Sequence, residues 1–355
     1  MTLQRQMTFW VATLAVLVAA LWLLSEILLP FVAGMALAYL LDPLTRQVER
    51  LGLGRALSAL AIMALVLVAF VVIVVLITPI LVAQLSALID HSPDYIARLQ
   101  ALVTDPSRPW LAKIFGDRVG DATKPSTDLI AQGAHWLGLF LSSVWSRGKT
   151  VVSVFSLLVV TPVVAFYLLC DWHRMIATVD GWIPLLHRDT VRALAREIDD
   201  NIAAFVRGQA GLCLILGAYY AVALTLTGLN FGFLIGFITG LVSFIPYVGW
   251  LTGIIVAGAV AIAQFWPSAT PIAIVFGIFL IGQVLESYVL APNLVGAKIG
   301  LHPVWLMFAL LAFGYLFGFV GLLVAIPLAA AIGVLCRFAL RQYLASPLYT
   351  GEGPH

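Results

Sequence analysis

Charge is what this chain has least of. Asp, Glu, Lys and Arg make up 10% of its 355 residues, 62% are hydrophobic, and the mean hydropathy is +1.06. A soluble globular domain carries about 25% charged residues, so the composition excludes that class and puts the chain in a membrane. Cysteine is equally scarce. Cys170, Cys213 and Cys336 all lie at or within apolar runs, which excludes a disulfide framework or a metal cluster and leaves them as small core residues. Catalytic signatures are missing too: there is no His-Glu-x-x-His, no Gly-x-Ser-x-Gly and no Gly-x-x-x-x-Gly-Lys loop, so neither hydrolysis nor ATP-driven pumping has residues to work with. A net charge of +2 with dispersed basic residues argues against nucleic acid as a partner. No cofactor is expected beyond a proton or sodium gradient.

What the chain does have is apolar runs of spanning length with a helical pattern, not the alternation of membrane strands. Phe9 to Leu24 and Pro30 to Leu41 read as a tight hairpin. The apolar stretch from Phe9 to Leu29, interrupted only by Ser25 and Glu26, is longer than a signal-peptide core and lacks a clear small-x-small exit, so it is expected to stay as an anchor. Asp42-Pro43 is expected to stop the second helix, because proline disfavours helix in the residue before it. A third span covers Ala56 to Ala83, with Thr78-Pro79 as an expected kink. From Gln84 to Lys149 acidic and basic side chains alternate, and Leu85, Leu88, Ile89, Ile96 and Leu99 recur at helical spacing, which predicts amphipathic surface helices.

A fourth span, Thr150 to Leu169, ends at Cys170-Asp171-Trp172-His173-Arg174, its tryptophan suited to an interface. A polar helix over Thr190 to Arg207, capped by Asp189 or Thr190, then feeds a fifth span, Gln209 to Leu229. Orientation follows from the short loops. Arg5, then Arg46, Arg50 and Arg55, then Arg174 to Arg207, then Arg337 and Arg341 collect on one side, which predicts cytoplasmic termini and an external Gln84 to Lys149 segment.

Two apolar blocks are harder to place. Phe231 to Ala263 contains Ser243, Pro246 and Gly249 among many glycines, and Val304 to Cys336 contains Gly314, Gly318, Gly321 and Pro327. As single helices each would be roughly 50 Å long against a hydrocarbon core of about 30 Å. They are either kinked, tilted helices or re-entrant hairpins. The hairpin reading brings Lys298 to the cytoplasmic side and leaves the short outer loops without a basic residue, so charge favours it. Packing through small residues accounts for the glycines without any site. Paired Gly/Pro-broken segments in corresponding positions, however, are the pattern that points to a transporter's substrate site.

The fold expected is therefore an all-α polytopic membrane protein with about eight hydrophobic segments, about six of them full spans and two forming inverted re-entrant hairpins, plus an external helical segment. The expected domains are residues 1–83 (hairpin and third span), 84–149 (external segment), 150–206 (fourth span and amphipathic helix), 207–344 (core with the broken hairpins) and 345–355 (a disordered tail).

Glu286 lies inside this apolar sequence, and a carboxylate at membrane depth costs about 2.5–3.5 kcal/mol unless it is partnered. It is either a coupling group or a structural carboxyl hydrogen-bonded to a neighbouring helix. Gln283 sits one turn before it on the same face.

The stretch Glu286…Pro292-Asn293-Leu-Val-Gly296…Gly300-Leu-His302-Pro303…Leu316-Phe-Gly318-Phe-Val-Gly321…Val324-Ala-Ile-Pro327 resembles the autoinducer-2 exporter family, also called the PerM family. Thr161-Pro162 to Asp171, Arg207-Gly208-Gln209 and Phe244-Ile-Pro-Tyr-Val-Gly249 carry the same resemblance, which runs from the first hairpin to Pro327. It implies a bacterial inner-membrane secondary transporter that exports a signal or exchanges sodium for protons, and a homo-oligomer such as a pentamer.

On that footing Glu286 would couple a proton or cation, with Gln283 and Asn293 as polar partners. The tips Ser243 to Gly249 and Gly314 to Gly321 would offer helix-end dipoles to a small polar solute. Arg207 and Gln209 are candidates for a gate, with lipid headgroup contact the plainer role for Arg207. The competing reading is an oligomeric passive pore or scaffold whose external segment binds a partner.

Overall fold

The computed structural model describes residues 23–103, 148–295 and 302–346, with a few isolated positions near the two ends. Most of the expected first span, residues 104–147 of the expected external segment, Gly296, Lys298, Gly300 and the tail lie outside the described residues. The described residues form eight α-helices and no strand: α1 (Ser25–Glu49), α2 (Arg55–Val103), α3 (Gly148–Gly181), α4 (Arg188–Leu226), α5 (Gly232–Val242), α6 (Val248–Phe265), α7 (Ala269–Val284) and α8 (Pro303–Leu344). A short 3-10 turn (Leu185–His187) precedes α4, and a π-helical stretch (Leu285–Val295) continues α7. Seven of the helical stretches are long and apolar enough to cross a bilayer. With large apolar side chains such as Val68, Leu76, Leu214 and Leu280 more than half exposed on them, the chain is a multi-pass membrane protein.

Four expected helix ends are corrected. α1 runs through Pro43 to Glu49 instead of stopping at Asp42-Pro43. Proline at 43 removes the N–H that would bond the Tyr39 carbonyl, but Arg207 Nε donates to that carbonyl at 2.9 Å, so the helix continues without an orphaned acceptor. α3 continues past Cys170 to Gly181, and its Asp180 carboxylate takes two bonds of 2.7 Å from Arg192 of α4. The polar helix and the fifth span are one helix, α4, because Gly208 and Gly211 weaken a helix by only about 1 kcal/mol each and do not break it. α2 extends as one 49-residue helix through Thr78-Pro79 and on to Val103, with its apolar part ending near Leu88.

The chain divides into two compact units. The first comprises residues 1–67, 156–211 and 290–355, and the second residues 68–155 and 212–289. In the first, α1, α2 and α3 pack around Leu41, Ile62, Ala165 and Leu169. Gly34 lets α1 approach α3 so closely that a methyl there would meet Val164 at 2.8 Å, and Thr161 Oγ1 donates to the Pro30 carbonyl beside it. Arg55 ties the three helices together. It reaches Asp42 at 3.0 Å, Glu49 at 3.1 Å and the Leu169 carbonyl at 2.8 Å.

In the second unit, Gly232, Gly236 and Gly240 form one stripe of α5 and meet the backbone of α4 at Leu224, Ala221 and Gly217 in turn, so the two helices run antiparallel in contact. These three glycines therefore serve packing. Gln84 of α2 caps the N-terminus of α5, its side-chain oxygen accepting from Leu234 N at 2.9 Å.

Both broken apolar blocks are interrupted where the sequence places their tips. The first divides into α5 and α6 at residues 243–247, with Gly249 packed onto Ser243. In the second, Gly318 takes non-helical angles (φ 58°, ψ −136°), and Gly321 comes into contact with the backbone of Phe313. Residues eight apart in a straight helix are about 12 Å apart along its axis, so the helix is sharply kinked at Gly318. Glycine is required there because the left-handed region penalises any Cβ.

Candidate functional site

Glu286 lies at the start of the π-helical stretch, half-buried in the second unit. Pro292 within that stretch has no N–H, and its ring would collide with the carbonyl four residues back, so a widened turn accommodates it better than α geometry does. The helix just before Glu286 is held by its neighbours. Tyr219 Oη of α4 donates to the Ile278 carbonyl at 3.0 Å, and Trp250 Nε1 of α6 donates to the Phe279 carbonyl at 3.1 Å. Gln283 donates to Ser287 Oγ at 3.0 Å.

Tyr220 is the residue the sequence did not single out. Its side chain is completely buried, stacked on Phe279 with centroids 4.9 Å apart, and its hydroxyl lies directly against Gly282. Gly282 stands one turn before Glu286 on the same helix face. The Tyr220 hydroxyl has no hydrogen-bond partner among the described residues, and the Glu286 carboxylate makes neither a hydrogen bond nor an ion pair among them. Glu286 lies within electrostatic reach of both Tyr220 and Cys213. An unmatched buried hydroxyl costs about 1–3 kcal/mol. A carboxylate and a phenol left open beside each other can hold a proton, a dehydrated cation or a water.

At the tip between α5 and α6, Ser243 is buried and its Oγ donates to the Thr239 carbonyl at 2.8 Å. Pro246 lies in the turn, and Tyr247, which follows it, takes φ 67°. A bulky residue in that region is strained, and such strain gathers at functional sites. Gly249 is required by the close approach of Ser243.

The remaining candidates fall in the first unit. Gly208 packs onto the backbone of Leu294 and Val295, which sets the Arg207-Gly208-Gln209 turn of α4 against the segment that carries Asn293. Gln209 is buried and Asn293 exposed. Arg207 donates to the Tyr39 carbonyl, and Tyr39 Oη donates to Asp199 Oδ1 at 2.7 Å, so α1 and α4 are joined twice through one residue. Gly314 meets Leu322 across the kink at Gly318. Among the described residues no group of His, Cys, Asp or Glu could hold a metal.

Two clues to what was missed are present in the sequence. Pro43 in mid-helix frees the Tyr39 carbonyl and so calls for an outside donor. Tyr220 four residues after Leu216 falls on the buried stripe of α4. Neither clue identifies its partner helix.

A profile described as AI-2E family transporter matches residues 11–341 of the chain. The chain is 29% identical over 326 residues to YrrI of Bacillus subtilis (strain 168), a provisionally named transport protein, covering 90% of this chain and 89% of that one. It is 25% identical to YueF of the same organism over 310 residues, covering 87% and 83%. It is 28% identical to the provisionally named permease PerM of Escherichia coli (strain K12) over 326 residues, 91% of each chain. This is a family of transporters and not of enzymes.

Proposed function

The chain belongs to the AI-2E transporter family, and from that premise we propose that it is a gradient-coupled secondary transporter of a bacterial inner membrane with both termini cytoplasmic. It moves a small polar solute outward or exchanges cations such as sodium for protons. Glu286 is the coupling carboxylate, with Gln283 and Asn293 as polar partners. The breaks at residues 243–247 and at Gly318 are tips of re-entrant hairpins, each offering helix-end dipoles to a polar ligand.

The observation that carries this reading is the pairing of a half-buried, uncompensated carboxylate with the orphaned hydroxyl of Tyr220 in an otherwise apolar region. A carboxylate of that kind is costly, and a titrating or ion-binding role explains why it is kept. Arg207 and Gln209 gate access from the cytoplasmic side, and the working form is a homo-oligomer such as a pentamer.

The test is flux in proteoliposomes under imposed proton and sodium gradients, comparing wild type with Glu286→Gln. Gradient-driven flux in the wild type that becomes independent of the gradient, or is lost, in the variant supports the reading. Equal and gradient-independent flux in both favours a passive pore.

A further inference from the structure

A cavity of about 220 Å³ opens within the first unit between α1, α3 and α4, and of its lining the transport reading uses only Arg207. Its lining combines apolar Met35, Ala38 and Leu168 with charged Asp199, Asp200 and Arg207. The charges around it are not all satisfied internally. Asp42 is neutralised by Arg46 at 2.7 Å and by Arg55 at 3.0 Å. Asp199 accepts from the Tyr39 hydroxyl, and Arg207 uses its Nε on the Tyr39 carbonyl. Among the described residues the Asp200 carboxylate and the two terminal nitrogens of Arg207 have no hydrogen-bond or ion-pair partner.

These two open groups have opposite sign and a definite spacing. Asp200 and Arg207 are seven residues apart on α4, hence on one face and about 10 Å apart along its axis. Ala203, buried between them, fills little of the space. Trp172 and Tyr39 meet edge to face at 6.1 Å and form an aromatic wall beside the acidic end. An ammonium group gains both from a carboxylate and from an aromatic face, and a guanidinium fork binds the oxygens of a carboxylate or phosphate in pairs.

A lone anion or a lone cation meets one favourable end and one repulsive end. An α-amino acid has its two charges too close together to reach both. The volume is below the roughly 300–1,000 Å³ of pockets for drug-sized ligands, so the ligand is small.

We infer that this cavity binds a small zwitterion whose ammonium and anionic groups are separated by several bonds, the ammonium against Asp200 and the anion in the fork of Arg207. Two sources present that chemistry: a free amino-phosphate or amino-carboxylate solute, and the headgroup of an aminophospholipid. The inference concerns binding in the first unit and does not depend on Glu286.

The experiment uses the full-length protein, stripped of lipid in a non-ionic detergent, titrated calorimetrically with phosphoethanolamine and, separately, with inorganic phosphate and ethylammonium at equal concentration. Saturable binding of phosphoethanolamine, absent for either half alone, is expected. Asp200→Asn and Arg207→Gln should each weaken it at least about tenfold, the loss of one charge-assisted contact. Asp200 is exposed, so its variant keeps the fold even if Arg207→Gln disturbs the α1–α4 contact.

Competition by phosphatidylethanolamine, but not by phosphatidylglycerol, identifies the headgroup as the occupant. No competition by either identifies a free solute. Binding of phosphate as tight as that of phosphoethanolamine, unaltered binding by Asp200→Asn, or no binding to the wild type overturns the inference.

Discussion

Arg207 offers the sharpest test of how α1 tolerates a proline in its middle. If Arg207 Nε supplies the bond that residue 43 cannot, then Arg207→Met leaves the Tyr39 carbonyl without a partner. Hydrogen bonds from charged donors contribute about 1.5–3 kcal/mol, but Arg207 is exposed and water can partly replace it, so a cost of about 1 kcal/mol is expected. Pro43→Ala restores the N–H at position 43 and with it the helical bond to Tyr39 O. In that background Arg207→Met should cost only about 0–0.5 kcal/mol, a coupling of about 0.5–1 kcal/mol in the double-mutant cycle. Pro43→Ala alone should be neutral or stabilising, because an interior proline is unfavourable in a helix by about 3 kcal/mol relative to alanine. Unfolding in mixed micelles with increasing sodium dodecyl sulfate, followed by helical circular dichroism, gives the four free energies. An equal cost of Arg207→Met in both backgrounds would refute the reasoning and make the Arg207 contact incidental to the proline.

Tyr220→Phe removes a buried hydroxyl without changing shape, so it should stabilise the protein by about 1 kcal/mol in the same unfolding assay. It should also lower gradient-driven flux in proteoliposomes, and a loss of stability would mean that the hydroxyl already has a partner. Gly240→Ala pushes a methyl into the backbone of Gly217 and should cost about 1–3 kcal/mol. Gly277→Ala, where a methyl meets nothing within 4 Å, should cost nothing and can gain up to about 1 kcal/mol from helix propensity. Similar melting of these two variants would contradict the close α4–α5 contact.

The sequence by itself determined the solvent, the helical class and the positions of the two breaks. Hydrophobicity of 62% with 10% charge permits only a membrane protein, and the bilayer requires each span to satisfy its own backbone bonds. Ser243 to Gly249 and Gly314 to Gly321 were legible as breaks because glycine and proline are the poorest helix formers, while the backbone alone singles out Gly318, at φ 58°, within the second. The motif from Glu286 to Pro327 already resembled the family to which the chain belongs.

Only the tertiary structure decided which polar groups meet. Local rules put a helix end at Asp42-Pro43, yet α1 continues because a guanidinium 164 positions later replaces the lost donor. The same limit hid Tyr220: its burial is legible from periodicity, but its place over Gly282 beside Glu286 depends on how α4 packs against α7. Glycine stripes likewise show that helices can approach, without naming the partner until Gly236 is seen against Ala221. Helix formation is governed by neighbours a few residues away, and a sequence displays these directly. Hydrogen bonds and charge pairs between helices depend on distances that arise only once the helices are packed.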